Sequence, residues 1–195
     1  MASMTEAWQD RQPDAGEGEA AQAVAACTDS EAFLQLYDRY FERIERYVMA
    51  RMAGPEVEDV VSVIFMRALE KIHLFRPDRG TFGAWLFGIA RNAVRDHFRR
   101  RGRFGFWALD SVETAPEPRS GPEDVALHGE QMEDVWRAFL TLTEDQREAL
   151  VLYYIAELKY TEVARVMGKS DFATRKLAQR GLEGLRQQLS KEKPQ

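Results

Sequence analysis

Apolar residues recur at steps of three and four positions along most of the chain, the spacing that places side chains on one face of an α-helix. The first three stripes of this kind lie at 33–47, 57–72 and 82–101. Gly54 and Pro55 interrupt the spacing after the first stripe, and the turn-forming segment 76–80 interrupts it after the second. Three amphipathic helices in close succession predict a compact helical bundle.

The same helical spacing returns near residue 130 and continues to 189. The intervening segment carries three prolines and scattered acids, a composition typical of a linker. No stretch alternates as a β-strand would, and the chain has no internal repeat. The sequence therefore predicts an all-α protein of two small helical modules joined by a flexible acidic linker. The predicted boundaries are a disordered acidic tail at 1–28, a first module at 29–103, the linker at 104–130, a second module at 131–189 and a tail at 190–195.

Charge is unevenly distributed, although the net charge is only −5. Acidic residues collect in the N-terminal tail and in the linker, and basic residues collect in two short stretches. Clustered arginine and lysine are the electrostatic signature of nucleic-acid binding, so two clusters predict two DNA-facing surfaces on two modules. The clusters are Arg91, Arg95, Arg99, Arg100, Arg101 and Arg103, and then Arg165, Lys169, Arg175, Lys176, Arg180 and Arg186.

Cysteine and histidine are too few for a disulfide or a metal site. Cys27 is the single cysteine and there are three histidines, so we expect no metal and no cofactor, and we interpret Cys27 as an incidental thiol. No apolar run reaches the length of a bilayer span, and the N-terminus lacks a basic-then-apolar signal pattern. The sequence predicts a soluble, cytoplasmic protein without membrane insertion.

The sequence contains no residue pattern typical of an enzyme active site. We find no nucleophile–histidine arrangement and no glycine-rich loop that would cradle a phosphate. Glu58 and Asp59 are adjacent on a predicted helix, which is poor geometry for two carboxylates that share a substrate. The sequence therefore predicts a protein that is not an enzyme.

The second module contains a helix-turn-helix pattern. A short helix at 161–167 ends at Gly168, and Ser170 stands where the next helix would be capped. The second helix of such a motif lies in the major groove, where arginine, lysine and glutamine reach base edges and phosphates. An ordinary helical hairpin with a solvated basic face is the alternative interpretation. The residues predicted to face DNA are Arg175, Lys176, Gln179 and Arg180.

The stretch 82–103 interleaves aromatic and basic residues, a combination that suits single-stranded DNA because rings stack on bases and cations follow the backbone. Aromatic residues at helical spacing are also typical of a core, and cations at the end of a helix complement its dipole. Both interpretations stay open. The candidate DNA-binding residues are Phe82, Trp85, Asn92, Arg95, Arg99 and Arg100.

Three segments, taken in order, resemble a known family. They read "EVEDVVSVIFMRALEKI", "FRPDRGTFGAWLFGIARNAVRDHFRRR" and "LTEDQREALVLYYIAELKYTEVARVMGKSDFATRKLAQRGLEGLR". In this order they resemble regions 2 and 4 of the extracytoplasmic-function sigma factors of the sigma-70 family, over 30–103 and 131–189. The specific parts are "FGAWLFGIARNAVRDHFRRR" and "LTEDQREALVLYY", because a helix-turn-helix alone is a weak signal.

The resemblance implies a subunit of RNA polymerase that directs promoter recognition and melting. Region 2 would bind the β′ clamp of the core enzyme and capture unpaired −10 bases. Its loop 75–81 would hold a flipped base, whose edge cannot be read inside an intact duplex. Region 4 would contact the β flap and read the −35 element, while the acidic linker threads the channel that later carries RNA. The implied clamp-facing residues are Glu58, Asp59, Ser62, Val63 and Met66. The implied regulatory partner is an anti-sigma protein or a kinase.

Two departures from the family pattern matter. Ser62 and Val63 stand where the family usually has a glutamine and an acid. Tolerated drift is one interpretation; phosphorylation of Ser62 is the other, since a phosphate would restore negative charge opposite clamp arginines. Phe172 stands where many relatives have glycine, and we expect it either to pack inward or to contact thymine methyl groups.

Two other functions stay open. A transcription regulator that acts without polymerase would keep the helix-turn-helix but has no need of the aromatic and basic stretch at 82–103. A sigma-like adaptor that sequesters an anti-sigma protein would be expected to lose its DNA-binding arginines, which this sequence retains.

Overall fold

The computed structural model describes residues 16–52, 54–100 and 134–191, and within these ranges all regular secondary structure is helical. The helices are α1 (Gly16–Ala25), α2 (Ser30–Met49), α3 (Val57–Lys71), α4 (Phe82–Arg100), α5 (134–140), α6 (Glu144–Leu150), α7 (Tyr160–Met167) and α8 (Asp171–Lys191). Short 3-10 turns at Ile72–Leu74 and Pro77–Arg79 connect α3 to α4. The all-α prediction is confirmed. The predicted linker, 104–130, lies outside the described residues, as do 1–15 and 192–195.

Helices α2, α3 and α4 pack together as the first module, with their predicted apolar stripes turned inward. Helix α2 begins where the Asp29 carboxylate accepts a hydrogen bond from the Glu31 amide at 2.9 Å, an N-cap that satisfies an otherwise free donor. Helix α4 begins in a similar way, because the Thr81 hydroxyl accepts from the Ala84 amide at 3.2 Å. The fully buried side chains of this module include Leu36, Ile44, Tyr47, Ile64, Leu86, Phe87 and Val94.

Helix α1 occupies part of the segment for which the sequence pattern predicts disorder, so that prediction is wrong over 16–25. The helix packs on α2 through small residues such as Ala23, which carry too little apolar surface to form a visible stripe. Its Glu19 is buried, accepts a hydrogen bond from the Tyr40 hydroxyl at 2.7 Å and pairs with Arg39 at 3.5 Å. Burial, reinforced by the Glu19 charge, raises the pKa of Tyr40 well above its usual value.

The second module is built from α5 to α8. Thr143 and Gln146 form a capping box at the start of α6, with hydrogen bonds of 2.9 and 3.4 Å in opposite directions. After α6 the backbone widens into a π turn at Val151–Ile155, which the Ala156 amide closes by donating to the Val151 carbonyl at 2.9 Å. Glu157 then adopts a left-handed conformation, φ 55°, and reverses the chain toward α7.

The two modules pack against each other, with α4 against α7 and α2 against the π turn. Buried side chains from both modules, among them Phe87 and Leu152, belong to one continuous apolar core. The sequence predicts the two modules but not this contact, because helical spacing reports which face of a helix is buried and not what covers it.

Candidate nucleic-acid interface

The turn between α7 and α8 has the geometry of a helix-turn-helix. Helix α7 ends at Gly168, which has a left-handed backbone conformation, φ 66°. The Gly168 amide donates a hydrogen bond back to the last turn of α7. Ser170 then caps α8 by accepting the Ala173 amide at 3.2 Å, and Thr174 returns a hydrogen bond to the Ser170 carbonyl at 3.0 Å. At Gly181 a Cβ would lie 2.9 Å from Leu150 Cδ1, so glycine permits the close approach of α8 to α6.

The outward face of α8 carries the four residues that the sequence predicts to face DNA. Thr174, Ala178 and Gly181 face the core and are buried. Because each residue advances about 100° around the helix axis, the residues one and two positions later point away from the core. The exposed side chains on that side are Arg175, Lys176, Gln179 and Arg180.

Tyr160 supports one end of this face. The Tyr160 ring stacks on Tyr153 with 4.1 Å between centroids, and the Arg175 guanidinium lies 4.7 Å above the Tyr160 ring. Burial, with a smaller contribution from Tyr153, raises the pKa of Tyr160 to about 12. The phenol is therefore neutral at physiological pH, and the stacked rings hold the Arg175 cation at the surface.

The aromatic residues of α4 divide between core and surface. Phe82 is only 2% exposed, and its ring packs edge-on against Tyr40 and Phe75. Trp85 is half-buried and leans on Phe82 with 5.5 Å between ring centroids. The prediction that Phe82 captures a base disagrees with this position: Phe82 is a core residue that supports Trp85. Phe87 is fully buried as well.

The polar side of α4 agrees with an outward basic surface. Asn92, Arg95, Arg99 and Arg100 are all exposed, since the buried face is taken by Ala90, Ala93 and Val94. Arg99 pairs with Asp96 at 3.0 Å, and Asp96 also pairs with Arg67 of α3 at 3.1 Å. The second half of α4 thus carries three exposed cations, Arg95, Arg99 and Arg100.

The loop 75–81 lies against α7 of the other module. The Thr81 hydroxyl donates a short hydrogen bond to the buried Glu162 carboxylate. Gly80 has φ 150°, and a Cβ there would lie 3.0 Å from Arg165 Nη1, so the two chains meet closely. The same Glu162 carboxylate accepts the Lys159 amide at 2.7 Å at the start of α7. Helix α7 thus contacts the end of the loop at Gly80 and Thr81, in the segment that the resemblance assigns to a flipped base, whereas residues 76–79 are exposed.

A buried polar cluster also joins the two modules. Glu148 of α6 is 2% exposed and accepts a hydrogen bond from the Tyr47 hydroxyl of α2 at 2.9 Å. Its carboxylate forms an ion pair with the buried Arg51, and the Arg91 Nε of α4 lies 3.7 Å from it. Arg43 adds a second connection, donating to the Ala156 carbonyl at 2.6 and 3.1 Å.

Sequence reasoning did not find this cluster. Tyr47 fits the apolar stripe of α2, and Glu148 lies inside an apparently solvated segment. The two residues are 101 positions apart, so no local pattern connects them. The weak signal available was Arg51, one helical turn after Tyr47 at the end of an apolar stripe.

One exposed face of α3 carries most of the residues assigned to polymerase. Glu58, Asp59, Ser62 and Met66 are exposed; Ser62 follows the adjacent acids by three or four positions, and Met66 follows Ser62 by four. Val63 is half-buried beside them. Met66 and Leu69 are both more than half exposed, so the face combines acidic with apolar surface.

Neither a metal cluster nor a membrane span is found in the part of the chain that the structure describes. No group of three histidine, cysteine or acidic side chains there is arranged to hold an ion. None of the helices in 16–52, 54–100 and 134–191 is both long and apolar enough to cross a bilayer.

Comparison with known proteins identifies both modules. Residues 36–104 match the family model Sigma-70 region 2, and residues 132–185 match Sigma-70, region 4. The chain is 31% identical over 147 residues to the ECF RNA polymerase sigma-E factor of Escherichia coli strain K12, covering 71% of this chain and 76% of that relative. The chain belongs to the ECF sigma factor family. The family predicted from the sequence is therefore confirmed.

Other relatives of this sigma factor agree. It is 36% identical over 163 residues to the ECF RNA polymerase sigma factor BldN of Streptomyces coelicolor, spanning 83% of this chain and 61% of that longer relative. Among solved structures, CnrH in complex with the cytosolic domain of CnrY aligns with a TM-score of 0.67 and 25% identity, over 91% of this chain and all of CnrH. The sigma factor RpoE of Bartonella quintana, bound to the anti-sigma factor NepR, has the same fold, with a TM-score of 0.64, 22% identity, and coverage of 83% of this chain and 98% of RpoE.

Proposed function

We propose that this sigma factor binds the core of RNA polymerase and directs promoter recognition and melting without catalysing a reaction itself. The observation that carries the proposal is the presence of two outward basic surfaces, on α4 and on α8, in the two modules that match regions 2 and 4. Each surface has the chemistry that its promoter element requires. Trp85 and the cations of α4 suit the unpaired bases of the −10 element, and the helix-turn-helix suits the −35 duplex.

The division of work follows from these surfaces. Helix α8 enters the major groove of the −35 element with Arg175, Lys176, Gln179 and Arg180. Helix α4 and the loop 75–81 hold the melted −10 strand, with Trp85 stacking and Asn92, Arg95, Arg99 and Arg100 along the backbone. The exposed acidic face of α3 binds the polymerase clamp through Glu58 and Asp59, with Met66 providing apolar contact, and the second module contacts the flap.

Access of the −10 strand to one end of the loop 75–81 depends on where the second module lies. The Thr81 hydroxyl donates to Glu162 and Gly80 lies against Arg165, so α7 occupies that end of the loop, while residues 76–79 are exposed. We infer that binding to the core polymerase pulls α7 away from this loop.

An inhibitory protein partner fits the same arrangement. CnrH and RpoE, which share this fold, are each seen with a second protein, the cytosolic domain of CnrY and the anti-sigma factor NepR. We propose that an anti-sigma protein holds this sigma factor with its modules together until a signal releases it.

Run-off transcription with purified core polymerase on a pool of genomic fragments tests the function. Promoter-specific transcripts should appear only when the sigma factor is present. They should vanish in Trp85→Ala, Asn92→Ala and Arg175→Ala, and persist in Leu34→Ala, which removes an exposed apolar side chain from α2. Duplex binding without any polymerase-dependent transcript would favour the regulator that acts without polymerase.

A second proposal concerns regulation at Ser62, with a kinase as the partner. Ser62 is exposed one helical turn after Glu58, on the clamp-facing side of α3. A phosphate there would add up to about two negative charges and create new pairs with arginines of the clamp. Phosphorylation would thus strengthen core binding at a position where the family usually carries polar and acidic side chains.

The affinity for core polymerase, measured by fluorescence anisotropy, tests this second proposal. Ser62→Glu should bind more tightly than Ser62→Ala. Ser190→Glu, at an exposed serine near the end of α8, is the matched control and should leave the affinity at the wild-type value. Equal affinities of the two Ser62 variants would rule the proposal out.

A further inference from the structure

We propose that Phe172 reads a thymine methyl group in the −35 duplex and so determines specificity at one base pair, an inference that rests on the proposed function. Phe172 is the second residue of α8, and 75% of its surface is exposed. Among the described residues the next most exposed large apolar side chain is Leu74, at 56%. The structure thus decides between the two positions open to this side chain: it points outward.

Helical geometry explains why Phe172 cannot contribute to the core. At about 100° per residue, Phe172 lies roughly 200° around the helix axis from the buried Thr174 and 180° from Gly181. At those inward positions α8 presents small side chains, because the helix approaches α6 closely. No rotamer of Phe172 reaches the far side of its own helix.

Phe172 lies instead in the middle of the DNA-reading face. Arg175 and Lys176 follow it by three and four positions, so all three side chains emerge on the same side of α8. The Lys176 ammonium lies 5.6 Å from the Phe172 ring centroid. The first residues of a recognition helix are the ones that contact base edges, and Phe172 occupies that position.

The surroundings of the ring favour DNA over an apolar protein surface. A protein partner that binds through apolar contact needs a contiguous patch, and in the described part of α8 Phe172 is the one exposed large apolar side chain, with Asp171 before it and the exposed Arg175 and Lys176 on the next turn. In the major groove the thymine C5-methyl group is the apolar feature of the base edges, and it is flanked by phosphates that attract Arg175 and Lys176. An exposed ring with two cations on the next turn matches that combination.

Replacing thymine by deoxyuridine isolates this contact, because deoxyuridine lacks the methyl group but keeps every hydrogen-bonding group of the base. Holoenzyme reconstituted from core polymerase and the full chain would be titrated against a promoter fragment recovered by run-off transcription. Each thymine of the −35 element, on either strand, would be replaced in turn. At one position we expect wild-type holoenzyme to bind about fourfold more weakly, the loss that accompanies one buried methyl-sized group.

The Phe172→Ala holoenzyme should bind the thymine and deoxyuridine duplexes equally at that position, and Phe172→Leu should keep part of the discrimination. Leu34→Ala is the matched control: it removes another exposed apolar side chain, on α2 instead of α8, and should discriminate as the wild type does. Circular dichroism of each variant would confirm that its helices are intact.

Three results would overturn the inference while leaving the proposed function intact: a deoxyuridine effect of equal size in wild type and Phe172→Ala, no effect at any thymine, or a −35 element without an A·T pair. Absence of promoter-specific transcription with wild-type protein would instead overturn the proposed function, and this inference with it.

Discussion

The two candidate DNA surfaces of this sigma factor differ in how accessible they are. On α8 the four recognition residues, and Phe172 beside them, project into solvent. On the first module one end of the loop 75–81, at Gly80 and Thr81, lies against Glu162 and Arg165 of α7. The comparison teaches that duplex reading needs no rearrangement within its own module, whereas access to the melted strand depends on where the second module lies.

A second contact between the modules is a buried polar cluster. Glu148, Arg51 and Arg91 are charged groups whose burial costs desolvation energy, and a buried ion pair repays that cost only in part. When the modules separate, these groups regain water, so separation is opposed less than it would be by an apolar contact of equal area. A polar cluster therefore suits an interface that must open.

The largest effect is expected from Glu148→Gln, a substitution in the buried polar contact between the two modules. The buried Arg51 loses a carboxylate partner, and the free energy of unfolding should fall by about 3–5 kcal/mol, measured by urea unfolding with tryptophan fluorescence. Glu157→Gln is the matched control, because its pair with Arg46 at 3.5 Å is half exposed and should contribute less than about 1 kcal/mol. Equal losses in the two variants would contradict the assignment of the cluster as the main polar contact.

A smaller effect is expected from Arg43→Ala, which removes the guanidinium that donates to the Ala156 carbonyl. Hydrogen bonds from a charged donor contribute about 1.5–3 kcal/mol, so the modules should separate more often and the radius of gyration in small-angle X-ray scattering should rise. Arg39→Ala, one turn earlier on α2, breaks a pair with Glu19 inside the first module and should leave that radius unchanged. An unchanged radius in Arg43→Ala would show that the contact does not hold the modules together.

On the exposed face of α8, the salt dependence of promoter binding distinguishes side chains that contact phosphates from those that contact bases. If Lys176 and Arg180 contact phosphates, replacing either by alanine should reduce the slope of log K against log salt by about 0.9. Gln179→Ala should weaken sequence preference and leave the slope unchanged, because an uncharged side chain releases no counterion. The measurement is fluorescence anisotropy of holoenzyme on promoter duplex over a salt series. A changed slope in Gln179→Ala would contradict the assignment of Lys176 and Arg180 to phosphates and of Gln179 to bases.

The smallest effect is expected in the pH dependence of stability, through Tyr160, whose ring lies beneath Arg175 on the exposed face of α8. Burial raises the pKa of Tyr160 to about 12 from a usual value of 10, so the unfolded phenol ionises first as pH rises. The stability associated with the neutral phenol is complete below pH 10 and declines as the pH rises toward 12. Urea unfolding should show a shallower alkaline decline in Tyr160→Phe than in wild type. Identical declines would contradict the raised pKa.

Sequence alone determined most of the fold and much of each surface. Helical spacing located α2, α3 and α4 within a few residues, because an amphipathic helix must turn one stripe inward. The exposure of Arg175, Lys176, Gln179 and Arg180 followed from the same periodicity. Charge clustering indicated two DNA surfaces, since like charges gather on a folded protein mainly where a partner of opposite charge binds.

Tertiary structure decided what periodicity cannot report. Phe82 and Trp85 lie three positions apart on α4, yet Phe82 is core and Trp85 is half-buried, because the Tyr40 ring of α2 packs on Phe82. Helix α1 packs through alanines too small to signal burial. The ion pairs of Glu148 and the covering of Thr81 by Glu162 join residues far apart in sequence. Such contacts depend on how two modules meet, and that is fixed by the shape and charge of whole surfaces rather than by any local pattern.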